Sequence, residues 1–322
     1  MPRALGGGGE IGMRTLVIGA GALGGYYGAC LTRAGRDVTF LVRPRRAEQV
    51  ARDGLHVISE QGDFAVAATT ITADDLRASF DLVLVTVKAY SLHEAMDQFA
   101  AAVGPSTAIL PILNGMTHLD SLTARFGAEP VLGGLAQISA ALDSEGRILH
   151  FGGSELVFGE VAGGSSDRIR ALSALFEGSG FASRASDDVL QDMWEKWVQL
   201  GTGAGMTCMM RGAIGDIVAA PGGREAILQL FDECCAIAAA AGYPPRPEFI
   251  ETRKALFTKV GSPLKWSMLR DIERGSATEG EHVIGELIMR ASALRVAAPT
   301  LDLARIHVAT YEASRARKLF PI

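Results

Sequence analysis

The sequence predicts an α/β domain followed by an all-helical one, and three observations carry that expectation. Residues 14–34 run as an apolar strand, a glycine turn and a helix; further short apolar runs then alternate with helical patterns up to about residue 185; beyond that point strand signals stop and long Ala-, Leu- and Met-rich windows take over. At 322 residues the chain exceeds the ~250–300 at which a single core stops growing, so two domains are expected, 13–185 and 186–322.

Each element has its own signal. RTLVIG (14–19) carries the apolar run LVI expected of a strand covered on both faces; 22–34 repeats apolar residues at helical spacing; DVTFLV (37–42) closes a βαβ unit. Strands are expected at 64–71, 81–87, 106–112, 130–138, 147–151 and 155–159, with helices at 91–102 and 115–125, which makes a mostly parallel sheet covered on both faces. Helical windows follow at 187–210, 221–241, 246–258, 276–294 and 299–317. The leader MPRALGGGGEIG has neither a basic n-region nor an apolar h-region and reads as an extension ahead of Met13-Arg14.

Composition narrows the partners. Lysine and arginine total 31 against 36 acidic residues, a net charge of −5, and no basic block exists to neutralise a row of phosphates, so nucleic acid is not expected. No segment approaches the ~20 apolar residues of a membrane span. Cys30, Cys208, Cys234 and Cys235 lack metal-ligand spacing and make a poor disulfide framework, which fits a reducing cytoplasm. His93, His118, His150, His282 and His307 follow no HExxH pattern and no GxSxG is present, so no metal and no serine-hydrolase chemistry are expected. The large apolar helices of the second domain are compatible with a homodimer.

GAGALG places Gly19, Gly21 and Gly24 in a GxGxxG spacing between strand and helix, with Ala20, Ala22 and Leu23 completing the loop. Such a loop turns tightly, lets backbone approach a pyrophosphate, and aims free N–H groups of a helix N-terminus at it. The first domain is therefore expected to be a Rossmann-type doubly wound sheet. At the end of the second strand, where an NAD enzyme carries Asp or Glu for the ribose 2′-hydroxyl, this chain reads LVRPRR with Arg43 at that point. A guanidinium suits a 2′-phosphate, so the expected cofactor is NADP(H). Lys88 and Asn114 end the strands at 81 and 106, on the side where such sheets bind ligands.

In their order and spacing, GAGALG, VKAY, LNGM, WEKW and SMLRDIERGSATE resemble the ketopantoate reductases (2-dehydropantoate 2-reductases), from about residue 14 almost to the C-terminus. That resemblance implies an NADPH-dependent reduction of a small 2-oxo acid, ketopantoate, to pantoate in pantothenate biosynthesis. It also implies that Lys196 is the general acid, since hydride addition builds negative charge on the carbonyl oxygen and an ammonium supplies both cation and proton. Glu279 would stand beside substrate and nicotinamide; by spacing alone, Ser276-x-x-Glu279 also reads as a helix capping box. Lys88 and Asn114 would flank the cofactor and catalytic cleft, Asn114 and Ser267 would contact substrate, and Ala140 would offer NADP a backbone contact.

The chain departs from the family pattern at Leu200 and Ala204, one and two turns after Lys196, and at Ile214 and Leu264, all places where asparagine is usual. A different, more apolar 2-oxo acid is the alternative substrate, and a non-catalytic NADP(H)-binding sensor is a rival from another class. Gly201, Gly203 and Gly205 each cost ~1 kcal/mol of helix propensity; they either admit a neighbouring helix or make room for a bulkier ligand. Met206, Met209 and Met210 read as core filler.

Overall fold

The computed structural model describes residues 12–319; all of the leader but Gly12 lies outside the described residues. These fall into two compact units: the residues up to Val87 with His93–Ile112 and Leu122–Asp187, and a second formed by Lys88–Leu92, Leu113–Ser121 and the residues from Asp188 onward.

The first unit is built from β1 (Thr15–Ile18), α1 (Ala22–Arg33), β2 (Val38–Leu41), α2 (Pro44–Asp53), β3 (Leu55–Ser59), β4 (Phe64–Val66), β5 (Thr69–Ile71), β6 (Leu82–Val85), α3 (Leu92–Phe99), β7 (Ala108–Pro111), α4 (Thr117–Phe126), β8 (Leu132–Leu142), β9 (Ile148–Glu160), α5 (Asp167–Phe176) and β10 (Ser183–Ala185); parts of α3 and α4 group with the second unit. Five strands form an all-parallel sheet in the order β5-β2-β1-β6-β7. Every residue of β1, β6 and β7 is buried, which is why these segments read as unbroken apolar runs.

One sheet was expected and two are present. The stretch 64–71 is not one strand: β4 pairs antiparallel with β3, while β5, two residues later, pairs parallel with β2 in the other sheet. The second sheet runs β10-β9-β3-β4, with β8 antiparallel on β9. The strands expected at 147–151 and 155–159 are one strand, β9, carried through Gly152 and Gly153 at a register shift opposite Ser139. Helix α2 escaped pattern reading because Val50 is its one buried residue, so PRRAEQVARD has no apolar stripe to detect.

In the second unit the described elements are helices: α6 (Val189–Met210), α7 (Ile214–Ala219), α8 (Gly223–Ala240), α9 (Pro247–Phe257), α10 (Ser267–Glu273), a π-helical turn at Glu281–Gly285 that runs into α11 (Glu286–Ala293), and α12 (Pro299–Leu319). Helix α6 is the axis, buried on most of its circumference. An added Cβ at Gly203 would overlap the Trp266 indole, one at Gly201 would lie 2.9 Å from a Leu287 methyl, and one at Gly205 3.1 Å from a Leu230 methyl. The three glycines thus admit neighbouring side chains rather than make room for a bulkier ligand. Met206 is fully buried, in keeping with core filler, whereas Met210 at the end of α6 is half exposed. Glu233 of α8 accepts from the backbone N–H groups of Thr300 (3.1 Å) and Leu301 (2.9 Å), satisfying the first turn of α12. Among the described residues no helix is long and apolar enough to cross a membrane.

Candidate active site

In the first unit, the turn from β1 into α1 has the geometry a nucleotide loop needs. Gly19 has φ +91°, a conformation that favours glycine, and Gly21 is the N-cap of α1 with no side chain capping the helix. A Cβ built on Gly21 meets nothing within 4 Å, whereas one on Gly24 would overlap the Gly19 carbonyl and the Thr86 hydroxyl, so close packing of α1 on the sheet requires glycine at 24. Ala22 and Leu23 form the first turn of the helix and Ala20 is buried. Thr86 Oγ1 donates to Ile18 O at 2.8 Å, and Arg46 donates to the Ala20 and Gly146 carbonyls at 3.0 Å each. Arg46 therefore staples the loop. Neither Thr86 nor this role of Arg46 has a sequence signal, since both depend on a strand and a loop distant in the chain.

Arg43 precedes α2 with its side chain 71% exposed, 3.1 Å from Glu94. Exposed pairs contribute only ~0–1 kcal/mol, so this guanidinium is readily available to a stronger anion. Arg45 is also exposed. Ala140 lies in β8 beside the register shift, paired with His150.

The second unit gathers the polar residues that sequence reading scattered over almost two hundred positions. Glu279, 6% exposed, receives Lys88 Nζ at 2.8 Å and Ala89 N at 3.3 Å on its two carboxylate oxygens, with Asn114 Nδ2 at 3.4 Å. Burial pulls the Lys88 ammonium down, but the Glu279 carboxylate outweighs it and holds Lys88 above its usual value; burial pushes Glu279 up, and Lys88 outweighs that in turn. The helix expected from 276 starts at Gly280, and the Glu279 carboxylate turns to Lys88 and Ala89, which leaves the capping-box reading without its reciprocal bond. Thr278 is anchored through its backbone N–H and hydroxyl to Glu312, at 2.7 and 2.8 Å, which fixes the loop that presents Glu279.

Lys196 sits on α6 between Trp194 and Trp197. Trp197 Nε1 donates to Val283 O at 2.8 Å, and Arg290 of α11 lies over both indoles, so α6 and the helix after Glu279 are locked together. Among the described residues nothing hydrogen-bonds the Lys196 ammonium. Burial lowers its pKa to about 8, with the Glu279 charge opposing that shift. Leu200 is half-buried and Ala204 is 1% exposed; Ile214 is fully buried, its N–H bonded to Leu264 O. Ser267 is exposed at the start of α10, and among the described residues no hydrogen bond joins it to this cluster. Asp271, one turn further along the same helix face, was missed; its Oδ2 is 4.0 Å from Lys88 Nζ, and burial raises its pKa. Its i+4 spacing from Ser267 was the available signal.

Residues 15–163 match the family described as ketopantoate reductase PanE/ApbA, and residues 188–312 match the C-terminal domain of the same family. The uncharacterized oxidoreductase YkpB of Bacillus subtilis (strain 168) is 38% identical over 304 residues, covering 94% of this chain and all of that protein. The crystal structure of 2-dehydropantoate 2-reductase from Geobacter metallireducens GS-15 superposes with a TM-score of 0.85 at 29% identity, over 92% of this chain and 99% of that one. A D-mandelate dehydrogenase solved with NADH and anilino(oxo)acetate shares the fold, at a TM-score of 0.85 and 20% identity over 94% of this chain and 99% of that one.

Proposed function

The chain belongs to the ketopantoate reductase family of oxidoreductases, and from that premise we propose that it reduces a 2-oxo acid with NADPH, ketopantoate being the leading substrate. The observation that carries this reading is a half-buried lysine at Lys196 whose ammonium meets no hydrogen-bond partner among the described residues, with the Glu279 carboxylate near enough to act on it and already held by Lys88.

The N-terminus of α1, with no side chain capping it and Gly19 at positive φ before it, fits a pyrophosphate, and Arg43 fits a 2′-phosphate. When bound, NADPH supplies a hydride for the carbonyl carbon. Lys196 steadies the charge that develops on the carbonyl oxygen and transfers a proton to it; a pKa near 8 keeps the ammonium mostly protonated at neutral pH while making it a stronger acid than an ordinary lysine. Glu279, gripped by Lys88 and Ala89, keeps Lys196 from losing its proton too early. Lys88, Asn114 and Ser267 supply donors for the oxo acid, and Ala140 a backbone contact for NADP.

A second reading has a specific observation behind it. Leucine at 200, with part of its surface free, supports a more apolar 2-oxo acid, since a hydrophobic surface leaves a polar substrate group unpaired. The test is NADPH oxidation followed against a panel of 2-oxo acids that includes ketopantoate and branched or aromatic members. Turnover with at least one, faster with NADPH than with NADH, is expected. No oxidation with any would overturn the reading.

A further inference from the structure

The residue after Lys196 ties its helix to the segment that carries Glu279. Trp197 is buried, and a buried indole N–H needs an acceptor. The acceptor lies in another element: Nε1 donates to the Val283 carbonyl at 2.8 Å. Val283 stands inside the π-helical turn Glu281–Gly285, where the regular i→i−4 ladder is interrupted, and its own N–H donates to the Glu279 carbonyl at 2.8 Å. A continuous run of bonds therefore joins the residue beside Lys196 to the backbone of Glu279. The same segment is pressed on α12: a Cβ added at Gly280 would lie 2.2 Å from a Val308 methyl, and Thr278 is held by Glu312 through its N–H and its hydroxyl. Arg290 lies 5.5 Å over the Trp194 indole and 5.4 Å over that of Trp197, which keeps the donating ring in place.

We propose that Trp197 is a positioning residue, whose bond to the Val283 carbonyl fixes the helix that carries Lys196 against the segment that carries Glu279. Its use to the enzyme rests on the reading of Lys196 as the proton donor to a carbonyl. The Lys196 ammonium has no hydrogen bond to hold it among the described residues, so Glu279 reaches it through space alone. A charge interaction weakens with distance, and a slack joint between the two segments would weaken this one. Lys88 and Asp271 face Glu279, His282 lies beside it in the turn, and His118 of α4 feels the Lys196 charge. Of these charged groups Glu279 is the one that opposes the lowering of the Lys196 pKa by burial. An indole suits the task because it is stiff and carries a single donor. Phenylalanine at 197 would keep a ring beneath Arg290 and lose the bond.

The test reads the fraction of Lys196 present as free amine. Lys196 is half-buried, so a small reagent reaches it; brief acetylation with acetic anhydride from about pH 6 to about pH 10, followed by mass spectrometry of the Lys196 peptide, gives a midpoint without any substrate. The wild-type midpoint should lie at about 8. Trp197→Phe should bring it down by about half a pH unit and Glu279→Gln by about one, and the double variant should fall no further than Glu279→Gln alone. The alkaline limb of kcat/KM for a 2-oxo acid should move with the midpoint. A folded Trp197→Phe that loses rate with its midpoint at the wild-type value, or a double variant whose shift is the sum of the two, makes the indole merely structural and overturns the proposal. Where Trp197→Phe does not fold, benzothienylalanine at position 197 keeps the shape of the indole and lacks only its N–H; the same downward shift is expected, and an unmoved midpoint overturns the proposal. Should the wild type reduce no 2-oxo acid, the functional reading fails, and the labelling midpoints still decide whether Trp197 places Lys196.

Discussion

Lys88 Nζ stands 2.8 Å from Oε2 of Glu279, although 191 residues separate them in the chain. With Ala89 N on the other oxygen, the carboxylate is oriented before any ligand arrives, and it acts on Lys196 through its charge rather than through a bond.

That relationship predicts a pH profile. On the proposed role of Lys196 as proton donor it must be protonated to act, so kcat/KM should fall as pH rises through about 8. Glu279 opposes the depression of the Lys196 pKa, so Glu279→Gln should move this limb to lower pH, by about one unit, besides lowering the rate. An unshifted limb in the folded variant would mean the carboxylate does not act on Lys196.

A second consequence concerns stability in acid. Unfolded, His118 binds a proton below about pH 6.5; folded, it refuses one down to about pH 3 because of burial and the nearby His282 and Lys196. Its contribution to stability is therefore present above that window and is lost as pH falls through it, at about 1.4 kcal/mol per pH unit. Urea midpoints measured from pH 7 to pH 4 should fall less steeply in His118→Phe than in wild type. Parallel slopes would show that His118 titrates normally in the folded protein.

Cofactor choice should turn on Arg43. NADPH is expected to bind at least about tenfold more tightly than NADH, one charge-assisted contact being worth ~1.5–3 kcal/mol, and Arg43→Ala should erase the difference. Glu94→Ala should leave NADPH binding equal or slightly tighter, because the exposed Arg43–Glu94 pair only competes with the phosphate. Titration of both cofactors against all three proteins measures this.

Leu200 and Ala204 should behave differently when replaced by asparagine. Leu200→Asn puts an amide where surface is free, and should raise kcat/KM for ketopantoate relative to apolar 2-oxo acids. Ala204 is 1% exposed, so Ala204→Asn buries an amide without a partner and should destabilise by ~1–3 kcal/mol. A wild type that already prefers ketopantoate strongly, with Leu200→Asn only losing activity, would remove the apolar-substrate reading.

Gly203→Ala should be costly for a purely steric reason. The new methyl would collide with the rigid Trp266 indole, and overpacking of this kind costs ~1–3 kcal/mol despite the better helix propensity of alanine. A thermal midpoint equal to or above wild type would show that the indole can move aside.

What was legible in the chain had a local cause. GAGALG announces its strand, turn and helix because backbone geometry confines glycine to those places, and β1 and β6 are readable because burial on both faces leaves them almost wholly apolar, Thr15 being the one polar residue of the two. Lys88, Asn114, Lys196 and Glu279 were found by motif, and the second unit brings the four to one cluster. Helix α2, the division of 64–71 between two sheets, and the merging of 147–159 into one strand were not legible, because each is decided by a partner strand or by a nearly polar helix lying on a surface.

The sequence by itself determined the two-part architecture and the glycine loop, since periodicity and motif spacing act over a few turns of chain. Only the tertiary structure decided that Glu279 turns to Lys88 instead of capping a helix, that Gly203 yields to Trp266, and that His118 lies close enough to Lys196 for their charges to interact. Those outcomes depend on which distant side chains share a low-dielectric interior, where a charge or an unpartnered nitrogen costs far more than in water; one-dimensional spacing carries no record of that.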